Sequence, residues 1–238
     1  MIKRIIKIIS IFAIGMVGGI FSSQIVMSRL LDMNYDSLLK TVAGPIYFTE
    51  KKEITVQENT ALQDSIDKVK ESIIGVRTKT KEGKIIYGSG FILTQDGLVI
   101  TLSSLIPKGQ DFAFFVGDKA QDYQILKRDS NNNLALIKIG KEGLEPCAFA
   151  DLDKLKIGQR VFLLGAVFGE KDILEQANQG IVKIFSQDKI ETNIFEDNNS
   201  AGSALFNIDG ELLGLNTINE EGRVVAIPVN TIRNFAGF

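Results

Sequence analysis

Gly88-Ser89-Gly90-Phe91-Ile92-Leu93, followed after a two-residue gap by Asp96-Gly97-Leu98-Val99-Ile100-Thr101, is the stretch on which the fold reading turns. Two short apolar runs rich in β-branched and aromatic residues flank an Asp-Gly pair, the pattern of a hairpin whose turn needs a residue at positive φ. A second Asp-Gly pair, Asp209-Gly210, sits between Leu205 to Asn207 and Leu212 to Leu215 in the same way. Outward from these hairpins, strand-length runs keep alternating with turn residues. They include Ile74 to Val76, Phe112 to Val116, Tyr123 to Leu126, Leu134 to Ile139, Val161 to Leu164, Gly180 to Phe185, Ile190 to Ile194 and Val224 to Ile227. Many short strands at close spacing define an all-β sandwich or barrel, one or two of them, and periodicity alone does not separate the alternatives.

Composition narrows the chemistry. The chain has 238 residues, 45% hydrophobic and 24% charged, as a folded globular chain does. Its 27 Lys plus Arg against 29 Asp plus Glu leave a formal charge of −2, which gives no support for a nucleic-acid partner. There is no histidine. An imidazole base and a His-ligated metal are therefore excluded. The single cysteine, Cys147, excludes an internal disulfide and any multi-cysteine metal site, and its place between Pro146 and Ala148 reads as a small buried hydrophobe. The run Asp129 to Asn133 (DSNNN) has one carboxylate, too few for a calcium loop, and reads as a turn. No metal and no cofactor is expected.

The N-terminus carries a separate signal. Ile8 to Met27 is uncharged and about the ~20 residues a membrane-spanning helix needs, with Lys3, Arg4 and Lys7 before it. The positive-inside rule then leaves residues 1–7 in the cytoplasm and the bulk of the chain outside, periplasmic or extracellular. Cleavage as a signal peptide is the rival, but no small-x-small site follows the apolar run. Gly15 and Gly19 form a GxxxG pair through which two such helices can approach closely, which would make a homo-oligomer. Residues 28–58 read as a stalk. Thr60 with Gln63 is a capping-box pattern, and Leu62, Ile66, Val69 and Ile73 recur at helical spacing, so one short amphipathic helix is expected next.

The quoted hairpin resembles the start of trypsin-like serine proteases of the bacterial HtrA/Deg type. Later segments fall in that family's order: Asn132 to Ile139; Leu155-Lys156-Ile157-Gly158 through Gly165 to Phe168-Gly169; Ile190 to Asn193 through Gly202 and Asn207-Ile208-Asp209-Gly210 to Gly214-Leu215-Asn216-Thr217; and Ala226 to Asn230. The resemblance implies two six-stranded β-barrels, at 59–145 with a leading helix and at 146–238 with a closing one, with a cleft between them; the family's PDZ domain, which would begin after residue 238, is not expected.

Carried onto these positions, the family's catalytic roles are vacant. The base histidine falls at Ser104, the orienting aspartate at Asn133 and the nucleophile at Ala201. None of these side chains can do the work the resemblance assigns to its position. The oxyanion turn falls on Asn199, Ser200 and Ala201, with Asn199 in place of a glycine but tolerant of positive φ. Ser200 is a conceivable replacement nucleophile, for which only a lysine would remain as base. The expectation is a membrane-anchored, extracytoplasmic pseudoprotease that binds an extended peptide or protein partner or serves as a scaffold. Substrate in the family adds as a strand along the segment matching Asn216, Thr217, Val224 and Val225. The rival expectation is an active serine endopeptidase with a nonstandard base, and a third is a structural spacer.

Overall fold

The computed structural model describes residues 15–16 and 60–238. The expected membrane helix, GxxxG pair and stalk lie outside the described residues, except for Gly15 and Met16, which are helical and exposed. Among the described residues no helix is long and apolar enough to cross a membrane.

Helix α1 (60–69) opens the described part of the main unit, with Ser65 and Val69 turned into the protein and Leu62 and Ile66 packed at its margin. The Ser65 hydroxyl donates to the carbonyl of Ile208. Ile73, read as the next member of the helical stripe, instead begins the first strand, because a 3₁₀ turn at Lys70–Ser72 ends the helix first.

Thirteen strands follow among the described residues: β1 Ile73–Lys79, β2 Ile85–Ile92, β3 Leu98–Leu102, β4 Asp111–Val116, β5 Lys119–Gln121, β6 Tyr123–Asp129, β7 Leu134–Ile139, β8 Arg160–Phe168, β9 Ile173–Phe185, β10 Ile190–Phe195, β11 Ala204–Asn207, β12 Leu212–Ile218 and β13 Arg223–Pro228. Helix α2 (Val229–Ala236) closes the chain and stops at Gly237 in the left-handed conformation. The quoted hairpin is β2 and β3, with Gly97 at φ 96° between them.

The second half closes as expected, into a six-stranded barrel ordered β10-β13-β12-β11-β8-β9. Phe162 and Phe206, fully buried with ring centroids 5.3 Å apart, stack inside it. The first half departs from the expected six-stranded barrel: it is a seven-stranded sheet, β5-β4-β1-β2-β3-β7-β6, with open ends. The short strand β5 hairpins onto β4 and takes the edge through which closure would run. Tyr123 of β6 bridges the gap with its side chain, its ring centroid 5.5 Å from Phe112 and 5.0 Å from Phe114. Aromatic packing holds the sheet curved where no ladder of hydrogen bonds does.

The two halves share one hydrophobic cluster, running from Val69 through Phe91 and Phe162 to Phe235. What brings them together is the Gly88-Ser89-Gly90 segment of β2. A Cβ on Gly88 would sit 2.7 Å from the carbonyl oxygen of Ala201 and 2.5 Å from a Leu105 methyl, so only glycine lets both turns lie on this strand. Ser89 bonds twice to the second half. Its N–H donates to the Ala201 carbonyl at 2.9 Å and its hydroxyl accepts from Ala166 N–H at 2.8 Å.

Candidate functional site

Two 3₁₀ turns meet over Gly88: one carries Ser104 and the other leads into Ala201, while Asn133, the third position read as catalytic, ends the turn between β6 and β7. The first, Ser103–Leu105, follows β3 and is anchored when the buried Thr78 hydroxyl donates to the Leu105 carbonyl at 2.6 Å. Ser104 sits at its exposed middle and donates its N–H to Asn133 Oδ1 at 2.8 Å, while Ser103 N–H donates to the Asn133 carbonyl at 3.0 Å. Asn133 is the one non-glycine residue among the described residues with positive φ, 53°, a conformation asparagine tolerates better than most. Ser104 and Asn133 are thus brought into direct contact. The contact is a main-chain to side-chain bond, with no group in it that exchanges a proton near neutral pH.

The second turn, Asn198–Ser200, leads into Ala201. Its capping residue is Asp197, whose carboxylate accepts the Asn199 N–H at 2.8 Å. Ser200 N–H donates to the Asp197 carbonyl at 3.1 Å and Ala201 N–H to the Asn198 carbonyl at 3.2 Å. The consequence is chemical: each main-chain donor from Asn199 to Ala201 already has an acceptor inside the turn. An oxyanion needs such donors free and convergent, and here a carboxylate occupies the first of them. Asn199 therefore follows the 3₁₀ path and does not take the positive φ that sequence reasoning allowed it. That reasoning also passed over Asp197, although an Asp two residues before the bonded N–H is the recognisable sign of an Asx turn.

Ser200 is buried, at 3% exposure. Its hydroxyl donates to Glu196 Oε2 at 3.1 Å and lies 3.4 Å from Gln176 Oε1. Glu196 also accepts from Gln176 Nε2 at 2.8 Å and Asn178 Nδ2 at 2.6 Å, so the carboxylate is already engaged by amide donors and the serine is one more. Gln176 and Asn178 belong to the part of β9 before Gly180, which no apolar pattern announces. This cluster was invisible in the sequence because its members are joined only by the β9–β10 ladder and the turn that follows β10.

The four residues read as a peptide-binding edge are not an edge. Val224 and Val225 lie in β13, which is paired with β12 on one side and β10 on the other. Thr217 faces Val225 in that ladder and donates its hydroxyl to the Val225 carbonyl at 2.7 Å. Asn216 gives its N–H to the Ser203 carbonyl and accepts the Gly202 N–H, both at 2.8 Å. Its side-chain nitrogen donates to Ser203 Oγ at 3.0 Å, and its buried Oδ1 has no hydrogen-bond partner. A strand added here would have to displace bonds already made.

The remaining candidates have plain roles. Cys147 packs against the core with its thiol directed at the Ile92 carbonyl, 3.8 Å away, and burial pushes its pKa up to about 11, so it is no thiolate nucleophile. The Asp129 to Asn133 run is a turn: the Asp129 carboxylate accepts from Asn131 N–H at 2.9 Å, Asn132 N–H at 3.1 Å and Asn132 Nδ2 at 2.7 Å. These bonds, led by that of the Asn132 side chain, hold it below the usual carboxylate range.

A closed barrel and a curved sheet on one core, with two turns meeting over a Gly-x-Gly strand, define the class of the trypsin-like peptidases. Residues 88–215 match the family model described as Trypsin-like peptidase domain, and the chain belongs to that family. Among its relatives are proteins named probable periplasmic serine endoprotease DegP-like. That of Halomonas elongata is 26% identical over 136 residues, covering 55% of this chain and 29% of the relative. That of a Marinomonas species is 31% identical over 137 residues, covering 55% of this chain and 29% of the relative. The matched stretch thus spans less than a third of these relatives. Among solved structures, that of Deg5 superposes with a TM-score of 0.65 at 22% identity, covering 74% of this chain and 92% of that one.

Proposed function

We propose that this chain is a membrane-anchored, extracytoplasmic trypsin-like domain that binds an extended peptide or protein partner without cleaving it. The observation that carries the reading is the closed turn at Asn199 to Ala201, whose main-chain donors are bonded to Asp197 and Asn198. It stands beside a chain with no histidine, an alanine where the resemblance puts the nucleophile, and a Ser104–Asn133 hydrogen bond where it puts base and orienter. Losing the nucleophile or the base of a triad costs roughly a millionfold in rate, and the remainder rests on the oxyanion hole and substrate binding. The residual route is weakened here as well. An active endopeptidase working through Ser200 would need a base for that hydroxyl, and its partners among the described residues are Glu196 and Gln176.

A fluorophosphonate probe, which marks activated serines, tests the reading on the full-length protein in detergent. Labelling no greater than that of heat-denatured protein is the expected result. Labelling lost on Ser200→Ala, together with casein turnover lost in the same variant, would establish the endopeptidase reading instead.

Anchoring rests on the uncharged Ile8 to Met27 run behind Lys3, Arg4 and Lys7, and the extracytoplasmic placement also on the relatives named periplasmic. Protease added to spheroplasts is expected to remove the trypsin-like domain and leave the N-terminal segment with the membrane. Digestion only after lysis would reverse the orientation.

A further inference from the structure

Beside Ser104 and Asn133 lies an open depression of about 470 Å³, lined by Ser103, Ser104, Lys108, Arg128, Ser130 and Asn133, with Pro107 at its wall. Its lining holds two cations, three hydroxyls and an amide, and no carboxylate. Asn133 already accepts from Ser104 N–H through its Oδ1, which leaves the amide nitrogen as the group to donate. Arg128 is half-buried, packed with its guanidinium 5.7 Å from the centroid of the Phe112 ring and donating to the Ile106 carbonyl. Neither Arg128 nor the exposed Lys108 takes part in an ion pair among the described residues. Burial pulls the Arg128 pKa below the ordinary arginine value, as for a cation that has lost water without gaining an anion. The nearby acid, Asp129, shares the neighbouring depression with Arg128 but is engaged by the donors of its own turn.

From this donor set we infer that the depression receives a carboxylate presented on an extended peptide, either an Asp or Glu side chain or a C-terminus. The inference rests on the peptide-binding reading above and gives the partner its chemistry. A half-buried cation without a counter-ion is the arrangement that gains most when a carboxylate arrives, because part of its desolvation has already taken place. Hydroxyl and amide donors around it can meet the lone pairs the guanidinium does not reach. The depression is far larger than a carboxylate group, leaving room for adjoining main chain. The region that hosts the partner thus moves from the occupied β12 and β13 ladder to the Ser104 turn.

The test uses full-length protein in detergent and fluorescein-labelled ten-residue Ala/Ser peptides carrying either four Glu or four Gln, each with a free or amidated C-terminus, followed by anisotropy. The Glu peptide is expected to bind roughly tenfold or more tighter than the Gln peptide, as a charge-assisted contact of ~1.5–3 kcal/mol implies. Lys108→Gln and Ser104→Asp change exposed residues; each should remove most of that preference while the thermal melt stays unchanged. A preference that follows the free C-terminus and not the side chains assigns the site to chain ends. Equal binding of Glu and Gln peptides, insensitive to both variants and to amidation, overturns the carboxylate site and leaves peptide binding standing. Binding of no peptide at all overturns both.

Discussion

Gly202→Ala is expected to destabilise the folded domain by on the order of 3 kcal/mol or more, enough to consume a large part of a typical domain's stability. Gly202 has φ 79°, and a Cβ there would lie 2.1 Å from the carbonyl oxygen of Ser89 and 2.9 Å from a Leu105 methyl. The first of these is backbone in the middle of β2 and cannot rotate aside. To relieve it the turn must lift from the strand, which breaks the Ser89 N–H bond to the Ala201 carbonyl and the Gly202 N–H bond to Asn216. Left-handed strain alone costs a non-glycine residue ~1–2 kcal/mol. Gly83→Ala isolates that part, since Gly83 has φ 85° and nothing within 4 Å of its would-be Cβ. Urea unfolding of the two variants followed by circular dichroism should show Gly202→Ala far below Gly83→Ala. Equal midpoints would mean that the turn is not seated on β2 as described.

The triple variant Ser104→His, Asn133→Asp, Ala201→Ser is expected to remain inactive, although it restores the side chains that a trypsin-like triad requires. The obstacle is the turn. With Asn199 N–H on the Asp197 carboxylate and Ala201 N–H on the Asn198 carbonyl, a tetrahedral intermediate at residue 201 would find no free donors and a negative charge nearby. Adding Asp197→Ala and Asn199→Gly removes that acceptor and returns the conformational freedom a donor pair needs. Activity in the five-fold variant should then exceed that of the triple variant by roughly a hundredfold, the scale of one oxyanion donor. The measurement is turnover of a fluorogenic casein substrate. Robust turnover by the triple variant would show that the turn opens readily and that the vacancies at 104, 133 and 201 were the whole block.

Much of this protein was legible in its sequence. The Asp-Gly pairs and the alternation of apolar residues are local signals, carried by φ preferences and side-chain period within a few residues, and they marked most of the strands, while the closed barrel and the closing helix came with the family resemblance. The absence of histidine needed no structure at all. Other features depended on contacts far apart in the chain. Lys119–Gln121 became a strand because the hairpin at Gly117 laid it along β4, although the segment has no β-rich composition of its own. Ile73 left the helical stripe because β2 and β4 offered its strand partners on both sides. Val224 and Val225 were read as an edge from the family resemblance, but whether a strand is an edge is a property of the sheet, and β10 covers it. The candidate site divides along the same line. Which side chains are missing from positions 104, 133 and 201 is written in the sequence once the register is known. The Asn199 bond to Asp197 is local and was open to reading as an Asx turn, whereas the way Arg128 faces a depression without a counter-ion was decided only when its turn and the Ser104 turn packed together. Hydrogen-bond partners and dielectric surroundings are set by tertiary neighbours, which no residue carries in its own identity.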